Sequence, residues 1–284
     1  MAKVLVIGAA GTVGRALVSQ LLADNVDVRA LLRDPDAAEL PAAIERVRGD
    51  LTVPETIELA TRNIDAVFLI WTAPPATAPA VIDRIARHVP RLVFLTAPHQ
   101  TPHPLFQQPN PLAAVLSTIE RHIEASRLPW TFIRPGMFAA NCIDWWAPAF
   151  RNHETIRWPL LQAPTAPIDP RDIAAVAATV LTGPDHAAKN YVITGPESLT
   201  QLEQLQIIAD TIQRPLHYED LTADEARRTF PPGFGMLIDA WVAAIGQPAY
   251  ITSTVDELLG RPAYSFRAWA HHNASAFAPH NPQD

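Results

Sequence analysis

Apolar residues occur in two alternating patterns along the first half of the chain. Short apolar runs are each followed by a longer stretch in which apolar residues recur every three or four positions. The runs predict strands over residues 3–7, 26–32, 44–48, 66–71, 92–96 and 130–134. The longer stretches predict a helix ending near residue 23 and helices over 54–61, 78–88 and 111–126. This alternation predicts an α/β fold with a parallel, doubly wound sheet.

A glycine-rich turn joins the first predicted strand to the first predicted helix. Gly8, Gly11 and Gly14 have the spacing G-x-x-G-x-x-G, and Thr12 and Val13 open the helix. The first glycine permits a tight turn, the second leaves room for a pyrophosphate, and the third lets the helix pack closely on the sheet. Free N–H groups at the helix N-terminus favour phosphate. We therefore predict a dinucleotide site in a Rossmann-type core.

The pattern changes after Pro135-Gly136. Residues 137–150 are rich in aromatic and apolar types, and the later segments predict a helix over 171–181, a strand over 191–194 and a short strand over 216–219. Thr200, with Glu203 three positions later, predicts a capped helix that continues to Ile212. We expect residues 1–136 to form the NAD(P)-binding core. Residues 137–284 are expected to form a small C-terminal α/β lobe that returns segments to the core, as one structural unit.

Composition excludes several classes of function. The 284 residues carry a net charge of −7 and only two lysines, so a nucleic-acid partner is not expected. The single cysteine, Cys142, excludes an internal disulfide and a cysteine-based metal cluster, and no metal site is predicted. The longest largely apolar stretch, residues 173–181, is too short to span a bilayer, and no signal peptide is evident. We therefore expect a cytoplasmic protein with no membrane partner.

The ends of the second and third strands bear on the choice of cofactor. Arg33 lies nineteen residues after Gly14, where its guanidinium would pair with a 2′-phosphate, so NADP(H) is favoured over NAD(H). Asp34 could instead bind the ribose and favour NAD. Asp50, followed by Leu51, could accept a hydrogen bond from the adenine amine or simply belong to a turn.

The carboxyl ends of the later strands are where an open parallel sheet places the rest of such a ligand. Glycine after the sixth strand also permits close approach of the backbone to a carboxamide. Strand-end punctuation is the alternative interpretation of that glycine. The expected cofactor contacts in this region are Thr72, Ala73, Thr96, Pro135 and Gly136.

Together these segments resemble the NmrA-like branch of the atypical short-chain dehydrogenase/reductase superfamily. The resemblance rests on residues 28–35, 49–51, 128–138 with Asn141, 168–174 and 253–262 with Phe266 and Trp269, and so covers nearly the whole chain. It implies NAD(P) binding and the doubly wound fold without fixing a reaction. The branch includes quinone reductases, dye and enone reductases, and redox-sensing regulators.

The acid–base pair of typical short-chain dehydrogenases is missing. Neither lysine follows a tyrosine at the Tyr-x-x-x-Lys spacing, and an ungapped comparison places Leu116 where several relatives carry a His or Lys. An electrophilic acceptor needs little acid assistance, so hydride transfer remains feasible. The candidate catalytic residues are His99, His103 and Thr96. The alternative is that the two histidines are exposed loop residues and that the threonine simply favours a strand.

Aromatic residues after the sixth strand predict a flat, apolar substrate pocket. Asp144 among them would anchor a cationic substrate, although it could equally be a helix-surface carboxylate. A hydrophobic core is the alternative for the tryptophans, and two adjacent tryptophans on a helix cannot both face the same way. The predicted substrate contacts are Phe138, Asn141, Asp144, Trp145 and Trp146.

These observations favour an NADPH-dependent reductase that transfers hydride to an aromatic or conjugated small molecule of the quinone, imine or enone type. One alternative is an NADP-sensing regulator without turnover. Another is a cyclase or isomerase that keeps the scaffold without redox chemistry. The expected partner is a small apolar or aromatic substrate, with a homodimer possible.

Overall fold

A single parallel sheet of seven strands organises the chain, whose computed structural model describes residues 2–278. The strand order is β3-β2-β1-β4-β5-β6-β9, so the chain winds outward in both directions from β1. The bounds are β1 Lys3–Ile7, β2 Asp27–Leu32, β3 Glu45–Arg48, β4 Ala66–Ile70, β5 Leu92–Leu95, β6 Trp130–Pro135, β7 Ile156–Pro159, β8 Pro164–Thr165, β9 Lys189–Ile193, β10 Leu199–Thr200 and β11 Tyr218–Leu221.

Helices cover both faces of this sheet, which explains why its inner strands β1, β4 and β5 are apolar on both sides. Along β1, Val4 and Val6 face one core, whereas Leu5 and Ile7 face the other. The first core is closed by α1 and α7 and the second by α3 and α5. The helices are α1 Thr12–Ala23, α2 Ile57–Ala60, α3 Ala78–His88, α4 Pro104–Gln107, α5 Pro111–Ala125, α6 Asn141–Asn152, α7 Pro170–Thr182, α8 Gln201–Thr211, α9 Ala223–Thr229, α10 Gly235–Ala244, α11 Thr254–Leu259 and α12 Phe266–His272.

A smaller lobe follows β6 and has its own aromatic core. It contains two two-stranded sheets, β8 with β10 and β7 with β11. Trp146, Trp158, Trp241 and Trp269 are buried at its centre, between α6, α8, α10 and α12. The predicted α/β class, with a doubly wound parallel sheet and a small C-terminal lobe, is therefore confirmed.

Most predicted elements lie within one residue of where the sequence placed them, but three differ by more than that or in type. The predicted helix over 54–61 is a 3-10 turn followed by the four-residue α2, whose end is held by Arg29 Nη1 donating to the Ala60 and Arg62 carbonyls at 2.8 Å. The strand predicted at 216–219 is β11, two residues later, because Tyr218 pairs with Ile156. The strand predicted at 191–194 is β9, which starts earlier along β6.

A buried carboxylate on α7 holds the segment that follows α11 against that helix. Asp172, in the first turn of α7, accepts hydrogen bonds from Arg261 Nη1 at 2.8 Å and from the Tyr264 backbone N–H at 2.7 Å. Burial raises the pKa of Asp172, and these two donors oppose that shift. The segment after α11 therefore returns to α7 before its aromatic residues enter the lobe.

Neither a membrane-spanning helix nor a metal-binding cluster occurs in the described part of the chain. None of its helices is both long and apolar enough to cross a bilayer. Within residues 2–278, no three His, Cys, Asp or Glu side chains converge on one point as metal ligands do.

Candidate functional site

A cleft of about 510 Å³ opens at the carboxyl edge of the sheet. Its middle is formed by the turn between β1 and α1, and the ends of β2 and β3 form one side. The ends of β4 and β5, together with the start of α6, form the other side. This is the edge at which a doubly wound sheet binds a dinucleotide, with the adenosine half toward β2. The predicted contacts that line it are Gly8, Gly11, Thr12, Val13, Arg33, Asp50, Leu51, Thr72, Ala73, Phe138, Asn141 and Asp144.

The three glycines of the central turn have separate structural roles. Gly8 adopts φ +96°, a conformation that side chains disfavour. Gly11 lines the cleft as the N-cap of α1, and no side chain caps that helix terminus. Gly14 lies outside the cleft wall, and a Cβ there would come within 2.1 Å of the Gly8 carbonyl oxygen. The turn therefore brings the uncapped start of α1 against the cleft.

Arg33 is exposed at the β2 end of the cleft, close enough to Asp50 for their charges to interact. The Thr52 backbone N–H donates to Asp50 Oδ1 at 2.8 Å and, with the Thr52 side chain and the charge of Arg33, lowers the pKa of Asp50. An ionised Asp50 retains acceptor capacity for an amine. Asp34, the residue that argued for NAD, lies 3.7 Å from Arg48 Nη2, so its charge is partly balanced.

Four predicted cofactor contacts are not on the cleft wall: Gly14, Thr96, Pro135 and Gly136. Pro135 is buried in β6, and the Gly136 N–H donates to the Ile193 carbonyl at 2.9 Å. A Cβ on Gly136 would meet no heavy atom of the described residues nearer than 3.5 Å. Contact with a carboxamide and strand-end punctuation both stay predictions for this glycine.

His103 is a structural residue in this fold, contrary to its place among the catalytic candidates. Its Nδ1 accepts the Leu105 N–H at 3.2 Å, which caps α4, and its Nε2 lies 3.0 Å from the Pro248 carbonyl. Because a carbonyl only accepts, Nε2 carries the proton and Nδ1 does not. Both ring nitrogens of the buried His103 are thus engaged away from the cleft.

Thr96 belongs to a buried polar cluster that the sequence analysis missed. Its hydroxyl donates to Glu120 Oε1 at 2.7 Å, and Arg134 Nη2 donates to Glu120 Oε2 at 2.8 Å. A second Arg134 nitrogen donates to Gln100 Oε1 at 2.8 Å. Thr96 is therefore turned into the protein rather than into the cleft. A signal existed in the sequence, because Glu120 shares the helical spacing of the apolar residues Leu116, Ile119 and Ile123.

His99 lies at the edge of the same cluster. Its Nδ1 is 3.0 Å from the Ala97 carbonyl, so that nitrogen carries a proton. Its Nε2 has no hydrogen-bond partner among the described residues and lies 3.6 Å from Glu120 Oε2. The His99 ring also lines a cavity of about 60 Å³ with Phe106 and Met236. Of the three catalytic candidates, only His99 combines an unpaired ring nitrogen with a cavity.

Helix α6 separates the predicted substrate contacts into two groups. Asn141 and Asp144 line the cleft, as does Phe138 just before the helix. Trp146 is completely buried, so its prediction as a wall of the substrate pocket is wrong. Trp145 is partly buried and packs in the same cluster, with its ring centroid 5.2 Å from that of Trp158. Core packing, the alternative interpretation, applies to both tryptophans. The expectation that two adjacent tryptophans cannot both face the same way does not hold, because both rings pack against Trp158.

Cys142 offers no nucleophile to the cleft. Its side chain is buried on the core side of α6, and burial raises the pKa of its thiol well above the ordinary value. A thiol in this environment remains protonated and unreactive.

Residues 8–184 match the model of a protein family described as NAD(P)H-binding. The chain is 35% identical to the (4-alkanoyl-5-oxo-2,5-dihydrofuran-3-yl)methyl phosphate reductase of Streptomyces griseus, over 97% of this chain and 99% of that one. It is 31% identical to the NAD(P)H azoreductase of Xenophilus azovorans, over 96% and 99%.

Among solved structures, the triphenylmethane reductase of Citrobacter sp. complexed with NADP(H) superposes with a TM-score of 0.80 at 20% identity, covering 95% of this chain and 99% of that one. This similarity shows the same fold over almost the full length. The chain therefore belongs to the NAD(P)H-binding family, as the resemblance in its motifs implied.

Proposed function

We propose that this protein is an NADPH-dependent reductase that transfers a hydride to an aromatic or conjugated small molecule. The observation that carries the proposal is the cleft itself. A glycine turn that can hold a diphosphate lies at its centre, a guanidinium lies at the adenosine end, and Phe138 and Asn141 lie at the other end. Two relatives of similar length, at 35% and 31% identity, are named as reductases.

The bound nicotinamide would supply the hydride. The protein's own part is to bind, orient and exclude water. The Gly8–Gly14 turn and the start of α1 would hold the diphosphate, and Asp50 would accept a hydrogen bond from the adenine amine. Phe138 and Asn141 would position the acceptor. Leu116 packs in the core, and its hydrocarbon side chain cannot supply a proton from this position on α5.

His99, which lines the small cavity and is not on the cleft wall, is our candidate for the proton that some acceptors need. A quinone or an enone takes a hydride onto the conjugated system, the electron pair moves to oxygen, and a proton completes the product. A triphenylmethane dye cation takes a hydride alone. His99 Nε2 has no hydrogen-bond partner among the described residues and lies 3.6 Å from Glu120 Oε2, beside the small cavity.

An NADPH oxidation assay with these acceptors tests the proposal. We expect oxidation with at least one acceptor class, and we expect His99→Asn to slow the quinone and the enone by about tenfold or more while the dye cation is unaffected. Equal slowing of all three would assign His99 a structural role. Tight NADPH binding without oxidation would instead favour the regulator, and conversion of a substrate without cofactor change would favour a cyclase or isomerase.

Arg33 is proposed to select NADP(H). Arg33→Ala removes a charge-assisted contact with the 2′-phosphate, so we expect the Kd for NADPH to rise about 10- to 100-fold while that for NADH changes little. Fluorescence titration with both cofactors measures this. Arg121→Ala, which removes the same charge from the exposed side of α5, is the matched control. Equal losses for the two cofactors would contradict the assignment.

A further inference from the structure

Among the described residues, one charged side chain lines the cleft at the end away from Arg33, and it is a carboxylate. Asp144 is exposed on α6 and lines the cleft together with Asn141, one turn earlier. Within residues 2–278, Asp144 makes no hydrogen bond or ion pair with another side chain. Its charge is therefore not balanced by the protein.

The packing of α6 fixes the direction of this charge. Cys142, Trp146 and Phe150 recur every four residues and are buried in the lobe, which sets the rotation of the helix about its axis. Asn141 and Asp144 lie on the opposite side. Asp144 is thus presented to the cleft by a rigid helix rather than by a loop.

Positive charge is confined to the other end. Arg33 is the only Lys, Arg or His among the described residues that line the cleft. An anionic group on an acceptor next to Asp144 would meet a like charge with no cation to offset it. The Streptomyces relative is named for a phosphate ester. The charges of this cleft disfavour such a group.

We propose that Asp144 selects the charge of the acceptor, so that this protein takes planar conjugated molecules that are uncharged or cationic and discriminates against those that carry a phosphate or sulfonate. The inference rests on the proposed function insofar as the acceptor occupies the Asp144 end of the cleft. It adds to the proposed function a residue of this chain that sets the charge preference for the acceptor.

Three forms of one acceptor provide the test: anthraquinone unsubstituted, with a sulfonate and with a trimethylammonium group. Binding to the NADP⁺-saturated protein is measured by calorimetry, and NADPH oxidation is measured in parallel. We expect Asp144→Asn to weaken the cationic form and strengthen the anionic form by about three- to tenfold each, and Asp144→Lys to reverse the preference. The neutral form should change little, and high salt should shrink the differences.

Asp83→Lys is the matched control, because Asp83 is exposed on α3 outside the cleft wall and its replacement changes the net charge equally. The inference would be overturned if both Asp144 variants kept the parent protein's charge preference among the three acceptors. It would also be overturned if Asp83→Lys changed that preference as much as Asp144→Lys does. Each variant is compared with the parent protein for the same ligand, so intrinsic reactivity cancels. If the three acceptors bind with the expected charge preference but NADPH is not oxidised, the reductase proposal is rejected and the inference about Asp144 stands.

Discussion

Replacing Gly14 with alanine is expected to destabilise the protein and to remove most of its affinity for the cofactor. The new Cβ would lie 2.1 Å from the Gly8 carbonyl oxygen and 2.7 Å from Ala9 Cα. Both are backbone atoms of the turn, so neither can rotate away. We expect the free energy of unfolding to fall by about 3 kcal/mol or more, although alanine is the better helix former by about 1 kcal/mol. Urea denaturation and NADPH titration measure the two effects.

Gly11→Ala is the matched variant, because the same methyl group would meet only the Gly8 carbonyl oxygen, at 3.5 Å. Gly11 has φ −79°, so alanine introduces no backbone strain. We expect a stability change below about 1 kcal/mol together with weaker NADPH binding. If both variants lost stability equally, close packing of α1 on the turn would not be the role of Gly14.

Glu120→Ala is expected to have the second-largest effect on stability. The substitution leaves the Arg134 guanidinium buried without a counter-charge and the Thr96 hydroxyl without its acceptor. Breaking a buried ion pair from one side costs about 3–5 kcal/mol, because the remaining charge stays desolvated. The measurement is again the free energy of unfolding in urea.

A surface ion pair provides the comparison. Arg157 and Glu219 form a similar carboxylate contact at 2.7 Å, but both side chains are exposed. Glu219→Ala is therefore expected to leave stability almost unchanged. The loss of stability in Glu120→Gln should fall between the losses in Glu120→Ala and Glu219→Ala, since the amide oxygen still accepts a hydrogen bond from Arg134. A near-zero effect of Glu120→Ala would mean that Arg134 reaches solvent once the carboxylate is gone.

The sheet and the nucleotide turn could be predicted because their signals are local. Most strands of the first half are apolar runs of a few residues, and the turn is specified by Gly8, Gly11 and Gly14. The side of a parallel sheet that binds ligand follows from topology alone. Arg33 and Asp50 were therefore placed at the cleft without any knowledge of the tertiary contacts.

The other candidates depended on contacts between distant segments. The sequence leaves His103 open to interpretation as an exposed loop residue, but its Nε2–H donates to the Pro248 carbonyl from the far end of the chain. The sequence predicts Trp146 as a wall of the substrate pocket, but in the fold α8 and α12 enclose its side chain. Glu120 and Arg134 are charged residues in apolar surroundings, and each would be unfavourable alone. Their pairing across α5 and β6 is visible only in the fold.

Helix α7 comes from the second half of the chain yet packs beside α1, and β9 follows it as the outermost strand next to β6. The polypeptide therefore leaves the core after β6, builds part of the lobe, returns for α7 and β9, and departs again. No single cut in the backbone separates the two parts. An attempt to graft this lobe onto another scaffold would have to carry at least two connections, with their spacing preserved.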